Sequence, residues 1–225
     1  MADRIKMVQR NDLINDLCFQ RKVLHLGCSN YPYTQEAIDS QMLLHFDLEK
    51  IASELYGFDS DQKGIDILKS RGSKNLFRAD LEKLDELELD DKFDVIVAGE
   101  MIEHLNNPGL FLKGIQRFMS SETRLVITTI NAYSALRFLI YALRGKDGKN
   151  EPVHPDHVYY FSYSTLSLLI NRANLSVSKF YFYDIGRQHR PFNRRVYNLF
   201  NDISVKIWPQ LSDGIIAVCV LGQDG

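Results

Sequence analysis

Short apolar runs alternate with amphipathic stretches over the first two thirds of the chain. The runs are rich in β-branched and aromatic residues, and each ends in a polar or glycine-containing turn, which is typical of buried strands. They cover residues 23–26, 54–58, 75–78, 93–98 and 124–129. Helical patterns lie between them, including 61–71, which ends before Gly72, and 108–119, whose first residue, Pro108, suits a first helical turn. This alternation predicts a parallel sheet covered by helices on both faces.

The last third of the chain lacks this alternation. Residues 164–173 predict a helix with Ser164 as its N-cap, and residues 177–183 and 214–221 predict strands. Because no crossover helix of the earlier kind separates these two strands, we expect an antiparallel hairpin that closes the sheet. The segment between them, 187–209, predicts a helical excursion over one face. The predicted fold class is therefore α/β, with a doubly wound, mostly parallel sheet that ends in an antiparallel C-terminal hairpin.

Composition and charge narrow the class of protein. The chain has 225 residues, 45% of them hydrophobic and 25% charged, so we expect a single domain over 1–225, with a helical lead-in at 1–20 and a helical insert at 186–210. A net charge of −2 provides no basic field that would attract nucleic acid.

Cysteine usage points to the compartment. Cys18, Cys28 and Cys219 are far apart and odd in number, which excludes a disulfide framework and favours a reducing environment. Since no apolar run has the length of a signal peptide or a membrane span, we expect a cytoplasmic protein without stable membrane insertion.

Candidate ligand-binding residues come directly after the first four predicted strands, because open parallel sheets bind ligands at the carboxyl ends of their strands. Small residues after the first strand let the backbone approach a ligand, and carboxylates after later strands can accept hydrogen bonds from a ribose or an adenine. The candidates are Gly27, Cys28, Ser29, Asp59, Ser60, Asp80, Leu81, Gly99 and Glu100. Each also has a simpler interpretation: Gly27 as a turn residue, Asp59 as the cap of the helix starting near Asp61, and Asp80 as a surface acid.

In their order along the chain, these segments resemble the class I S-adenosylmethionine-dependent methyltransferases, in the branch with a Glu-His-Leu segment after the fourth strand. The matching segments are 23–29, 57–59, 79–81, 93–96, 100–105 and 157–162. The resemblance implies a Rossmann-like fold and S-adenosyl-L-methionine as cofactor. It places Gly27 at the methionine part, Asp59 at the ribose, Asp80 and Leu81 at the adenine, and Gly99 and Glu100 beside the sulfonium.

The chain departs from that family in its first loop. The family has an acid two residues before the first glycine, where this chain has His25, and Ser29 and Tyr31 replace further glycines. The stretch from Gly27 to Asp59 is also longer than the ~20 residues typical of dinucleotide-binding folds. These changes remove an expected partner of the methionine amino group.

Four residues are candidate catalytic groups: Glu103, His104, His154 and His157. In a helix that began early, Glu100, Glu103 and His104 would share a face and, with His154 or His157, could form a mixed metal site. A hydrogen-bonded network that orders the loop is the favoured interpretation, so no metal is expected. His154 and His157 can either take a proton from an acceptor hydroxyl or cap a loop, and both interpretations stay open.

The insert before the last strand is the candidate acceptor or partner surface, with Arg187, Arg190, Arg194, Arg195 and Trp208. Arginines can bind phosphate or carboxylate groups, and a basic amphipathic helix can also lie on a membrane surface. The favoured interpretation is an amphipathic helix packed on the sheet, with a solvated basic face.

These patterns favour methyl transfer from S-adenosylmethionine to a hydroxyl or amine of a small molecule or saccharide. One alternative is an NAD(P)-dependent oxidoreductase of related fold, but residues 27–32 lack the Gly-x-Gly-x-x-Gly that it requires. The other, motivated by His25, is a non-catalytic S-adenosylmethionine-binding module.

Overall fold

A computed structural model describes residues 5–152, 154–185, 190 and 193–222. Its strands are β1 (Lys6–Val8), β2 (Lys22–Leu26), β3 (Glu54–Asp59), β4 (Leu76–Arg78), β5 (Val95–Gly99), β6 (Arg124–Ile130), β7 (Leu175–Tyr183) and β8 (Gly214–Leu221). They form one sheet in the order β1-β7-β8-β6-β5-β2-β3-β4.

The sheet is parallel except at β8, which runs antiparallel to both of its neighbours, β6 and β7. The predicted fold, with its antiparallel C-terminal hairpin, is confirmed. Because β8 reverses direction between β6 and β7, β7 runs in the same direction as β6. The chain moves outward from β2 to β4 and then returns to place β5 on the other side of β2, so the topological switch point lies between β2 and β5.

The helices cover both faces of this sheet. They are α1 (Arg10–Cys18), α2 (Thr34–Asp39), α3 (Leu44–Ile51), α4 (Gln62–Ser70), α5 (Pro108–Gly114), α6 (Ala135–Arg144), α7 (Tyr163–Arg172) and α8 (Arg195–Ile207). Alternate residues of β5 enter different clusters: Ile96 packs in the layer of α5 and α7, and Val95 and Val97 pack in the layer of α1 and α3.

Two helix boundaries differ from the prediction. The stretch predicted as one helix over 108–119 is α5 followed by a 3₁₀ turn at Ile115–Phe118. The N-cap of α7 is Ser162, so the assignment of Ser164 is wrong. Ser162 Oγ accepts the amide N–H of Thr165, and the Ser162 amide donates to Thr165 Oγ1 at 2.8 Å. This reciprocal pair satisfies two amide groups that a cap at Ser164 would leave unpaired.

The N-terminal segment is only partly the helical lead-in expected over 1–20. Helix α1 begins at Arg10, whereas Lys6–Val8 forms β1 and pairs in parallel with β7. Three residues are too few for a strand to be recognised by alternation alone. The pairing gives β7 a hydrogen-bonded partner on the side that would otherwise be an open edge.

The two insertions form helices. The long stretch after Gly27 contains α2 and α3, and α3 packs with α1 against the sheet. The insert before β8 contains α8, as expected, and its basic residues Arg194 and Arg195 are exposed. The same insert also exposes the apolar side chains of Val196, Leu199 and Ile203, which the sequence did not predict. Among the described helices, none combines the length and apolarity needed to cross a bilayer.

Candidate active site

The carboxyl ends of the seven parallel strands meet at one edge of the sheet, where a cavity of about 1220 Å³ opens. Of the nine predicted cofactor-binding residues, eight line this cavity: Gly27, Cys28, Asp59, Ser60, Asp80, Leu81, Gly99 and Glu100. Ser29 does not line it but lies behind Asp59. The structure therefore brings the glycine loop and both strand-end acids together at one site.

Gly27 turns the chain sharply out of β2. Its φ is +67°, and its amide donates to the carbonyl of Phe58 at 2.8 Å. A Cβ at this position would lie 3.5 Å from the Met101 Cβ, which is an ordinary contact. Glycine is therefore favoured here by the left-handed backbone rather than by lack of space.

Asp59 holds the first loop in place. Its Oδ2 accepts the Ser29 amide at 2.9 Å and the Ser29 hydroxyl at 2.8 Å, and its Oδ1 accepts the Asp61 amide at 3.0 Å. Asp61, not Asp59, is the N-cap of α4, because its side chain accepts the first amides of that helix. The capping alternative for Asp59 is therefore wrong.

Asp80 and Leu81, two of the predicted cofactor-binding residues, differ in exposure. Asp80 is exposed, and its Oδ1 accepts the Glu82 amide at 3.0 Å, whereas Leu81 is buried.

Burial, and then the charge of Asp59, raise the pKa of the Cys28 thiol, so this thiol stays protonated and is a poor nucleophile.

Glu100 has a φ of +51° and accepts a hydrogen bond from the Tyr183 hydroxyl at 2.7 Å. Tyr183 is buried, and burial raises the pKa of its phenol well above the ordinary value, so it remains a donor. Sequence reasoning missed Tyr183 because it considered only the first four strands. The position of Tyr183 at the end of a parallel strand is a signal that could have identified it.

Arg10 is a second residue that the sequence did not indicate. It lines the cavity, its Nε donates to Thr128 Oγ1 at 3.0 Å, and its Nε lies 4.0 Å from Glu100 Oε1. Its guanidinium lies against Gly99, where a Cβ would come within 2.8 Å of Nη2. No signal was available, because Arg10 reaches this edge only through the unpredicted strand β1.

The segment after β5 is not an α-helix, so the helical face proposed for Glu100, Glu103 and His104 is wrong. Residues Ile102–His104 form a 3₁₀ turn after the left-handed residue Glu100. Glu103 is fully buried, and burial, followed by the charge of Glu100, raises its pKa to about 7. Within the described ranges, neither carboxylate oxygen has a hydrogen-bond partner of good geometry, nor has the neighbouring Thr129 hydroxyl. All three residues of the proposed face nevertheless line the cavity.

His104, His154 and His157 come together on the cavity wall. The ring centroids of His104 and His157 are 4.5 Å apart, and His154 lies 5.6 Å from each of them. Asp156 connects the group: its Oδ2 lies 3.0 Å from His104 Nδ1, and its amide donates to His154 Nδ1 at 3.2 Å. His154 thus caps its own loop, as one of the two open interpretations supposed.

His25 stands where the class I methyltransferases have an acid. Its side chain has a partner in the long stretch that follows Gly27. Its Nδ1 lies 3.2 Å from Nδ1 of His45 on α3, and the two rings stack with centroids 5.4 Å apart. Both side chains are buried. Burial lowers the pKa of His25 well below its ordinary value and that of His45 to about 4, so this pair is neutral at pH 7.

The arginines of the insert that the structure describes are not part of the cavity wall. Arg190 pairs with Asp202 at 2.6 Å, and the exposed Arg194 and Arg195 lie outside the lining, as does Trp208. Arg187 falls outside the described residues. A different arginine, Arg137 on α6, lines the cavity with its partner Asp213, whose Oδ1 lies 3.0 Å from Arg137 Nε.

The sequence of this chain is similar to those of known methyltransferases. The sequence model of a family described as "Methyltransferase domain" matches residues 21–179. The chain is 26% identical over 128 residues to a ubiquinone biosynthesis O-methyltransferase of Pelagibacter ubique, covering 56% of this chain and 48% of that protein. A protein of the same name from Bradyrhizobium diazoefficiens is 25% identical over 115 residues, covering 50% and 46%. The chain thus spans about half the length of these curated relatives.

Solved structures share the fold. A SAM-dependent methyltransferase from Archaeoglobus fulgidus superposes with a TM-score of 0.57 at 16% identity, covering 93% of this chain and 94% of that one. One from Aquifex aeolicus gives 0.57 at 14% identity, covering 95% and 90%. The magnesium protoporphyrin IX methyltransferase of Synechocystis with bound SAH gives 0.57 at 11% identity, covering 93% and 78%.

The buried histidine pair predicts a loss of stability in acid. Because folding lowers the pKa of His45 from 6.5 to about 4, its contribution is complete above pH 6.5 and is lost as the pH falls toward 4. We expect the unfolding free energy of the wild type to fall by roughly 3 kcal/mol more than that of His45→Gln over this interval, at about 1.4 kcal/mol per pKa unit. Urea denaturation at a series of pH values measures this difference, and parallel pH profiles would contradict it.

Proposed function

Because the chain belongs to the methyltransferase-domain family, we propose that it transfers the methyl group of S-adenosylmethionine to a hydroxyl or amine of a small molecule or saccharide. The observation that carries the proposal is the convergence of Gly27, Asp59 and Asp80 on one cavity at the switch point of the sheet. When bound, this cofactor supplies an electrophilic methyl group on a sulfonium.

The residues of the cavity fit the adenosine part of such a donor. The left-handed turn at Gly27 lets the main chain approach the ligand, and the strand-end carboxylates of Asp59 and Asp80 provide acceptors for the ribose and the adenine amino group. Leu81 offers an apolar surface beside them. Since Ser29 and the Asp61 amide already hold the Asp59 carboxylate, its orientation is fixed before a ligand arrives.

The methionine part of the donor requires partners other than the strand-end acid that the class I methyltransferases provide. His25 is neutral and paired with His45, so it does not supply the negative charge that a strand-end acid would. We assign the donor carboxylate to Arg10, and the positive amino and sulfonium end to Glu100, which Tyr183 orients. Arg10, at the start of α1, and Glu100, after β5, both line the cavity, so the cavity presents a positive and a negative group side by side.

The acceptor side is assigned to Glu103, His104, His154 and His157, which line the same cavity. Methyl transfer mainly needs alignment of the reacting atoms and exclusion of water, and a base is needed only for an acceptor that does not lose its proton spontaneously. Glu103, with a pKa of about 7, is poised to exchange a proton near neutrality. The acceptor is a small molecule by analogy with the curated relatives, whose names specify O-methylation in ubiquinone biosynthesis.

Calorimetry and turnover together test this function. We expect S-adenosylhomocysteine to bind the purified chain in the micromolar range or tighter, NADH not to bind, and radiolabelled methyl groups to pass to at least one compound of a panel of phenols, sugars and amines. Tight NADH binding alone would instead support the oxidoreductase. Donor binding without transfer to any compound of the panel would support the non-catalytic module.

Removing the exposed acid after β4 tests the adenine site. We expect Asp80→Ala to weaken binding of both S-adenosylhomocysteine and adenosine by roughly tenfold, since a hydrogen bond to a charged group contributes about 1.5–3 kcal/mol. Asp66→Ala is the matched control, because Asp66 is an exposed acid on α4 outside the cavity lining. Isothermal titration calorimetry measures all four affinities, and equal affinities of the two variants would refute this assignment.

Changing Arg10 separates the two ends of the donor. Arg10→Gln should weaken S-adenosylhomocysteine binding by roughly 10- to 100-fold, because it removes a charge-assisted contact to the donor carboxylate. Adenosine has no carboxylate, so its affinity should not change. Arg21→Gln, at an exposed arginine outside the cavity, should alter neither affinity. A parallel loss of adenosine affinity in Arg10→Gln would show that Arg10 shapes the whole cavity instead.

A further inference from the structure

Three imidazole rings on the cavity wall form a group with the geometry of a metal site. His104, His154 and His157 each offer one ring nitrogen, and these nitrogens all lie within 4.8 Å of one another. All three side chains are half-buried and line the cavity. Because metal–nitrogen distances are about 2.0–2.1 Å, nitrogens bound to one ion lie closer together than 4.8 Å, so the rings must move toward one another when an ion binds.

Hydrogen bonds between a loop and a turn hold this arrangement. The amides of Val158 and Tyr159 both donate to the Glu103 carbonyl, at 2.8 and 3.2 Å. The Tyr159 hydroxyl donates to the carbonyl of Asn106 at 3.0 Å. The loop that carries His154 and His157 is therefore fixed to the turn that carries His104, so the rings stay together without a bond between them.

The groups around the rings prepare them for a metal ion. Asp156 Oδ2 accepts from His104 Nδ1 at 3.0 Å, which leaves the lone pair of His104 on Nε2 and is the carboxylate–histidine arrangement common behind metal ligands. His157 Nδ1 is buried and, within the described ranges, has no hydrogen-bond partner. His154 Nδ1 accepts the Asp156 amide, so His154 must exchange this contact when it binds a metal ion.

We propose that His104, His154 and His157 bind one divalent transition-metal ion, such as Zn²⁺ or Co²⁺, in the wall of the cavity. Three imidazoles suit these ions, whereas Mg²⁺ and Ca²⁺ prefer oxygen ligands. Three protein ligands leave a fourth position open, as in catalytic zinc sites, and the three histidines line the cavity from which an acceptor would reach that position. The sequence favoured a hydrogen-bonded network without metal over a mixed site, whereas the structure brings His154 and His157 together with His104.

The role of this ion rests on the proposed function. A hydroxyl oxygen of the acceptor that occupies the open position becomes more acidic and releases its proton to water. The oxygen then forms a bond to the methyl carbon, the bond from that carbon to sulfur breaks, and its electron pair stays on sulfur. Asp156 is a positioning residue in this scheme, since it acts only through His104.

Metal binding is tested without donor or acceptor, so its failure and the failure of methyl transfer are distinguishable. Protein freed of metal with a chelator and dialysed is titrated with Zn²⁺ and with Co²⁺ in a calorimeter. We expect about one ion per chain, and visible absorption of bound Co²⁺ typical of four-coordinate sites. Asp156→Ala should weaken Zn²⁺ binding by roughly 10-fold or more, as is usual for partners behind metal ligands, and His104→Ala or His157→Ala should weaken it further.

The matched control is His45→Gln, which removes a histidine outside the group and should leave Zn²⁺ affinity unchanged. X-ray absorption at the zinc edge of the wild type adds a measurement that needs no variant, and we expect scattering from three imidazoles. The proposal is overturned if no stoichiometric binding occurs, if binding persists unchanged in His104→Ala and His157→Ala, or if fewer than two imidazoles surround the ion.

Discussion

The parallel pairing of β2 with β5 is the constraint on which the site depends. Residues Leu24 and Ile96 are partners across this pair, although the chain between them forms β3 and β4 on the far side of β2. The loops after β2 and β5 therefore leave the sheet in opposite directions, and a cavity opens between them. Gly27 and Glu100, the residues that follow these two strands, both have a positive φ, so the main chain turns sharply at the end of each strand.

The antiparallel strand β8 extends the same edge. Because β8 lies antiparallel between β6 and β7, the carboxyl end of β7 lies at the same edge as that of β6. Tyr183, at the end of β7, therefore contacts Glu100. Strand β1 pairs in parallel with β7, so Arg10, which follows β1, lies at the cavity. The N-terminal and C-terminal parts of the chain thus complete a site that the central strands begin. This arrangement concentrates charged and polar groups at one edge of an otherwise apolar sheet.

Burial sets the chemistry of these groups more than their identity does. His25 stands where the resembling family has an acid, and its burial against His45 keeps it neutral. Glu103 is an acid whose burial raises its pKa to about 7, so it is not fully ionised near neutral pH. Residue type alone would have assigned a charge to Glu103 and an open role to His25. The insertion after Gly27 explains the difference for His25, because it carries the buried partner His45.

The sequence by itself determined the fold class and identified strand-end residues that line the cavity. Apolar runs separated by turns place their carboxyl ends at one edge whatever the details of packing, so reading the residues after each strand found Gly27, Asp59 and Asp80. Helix caps were less well determined, as with Ser162, because neighbouring serines compete and only the reciprocal bond to Thr165 decides between them.

Only the tertiary structure decided which distant residues meet. Arg10 and Tyr183 reach the cavity through strand neighbours that local patterns do not specify, and β1 is too short to show alternation. The grouping of His104 with His154 and His157 depends on main-chain and side-chain hydrogen bonds between a turn and a loop some fifty residues later. Local propensity fixes periodic elements, whereas the position of an irregular loop follows from contacts that exist only once the chain has folded.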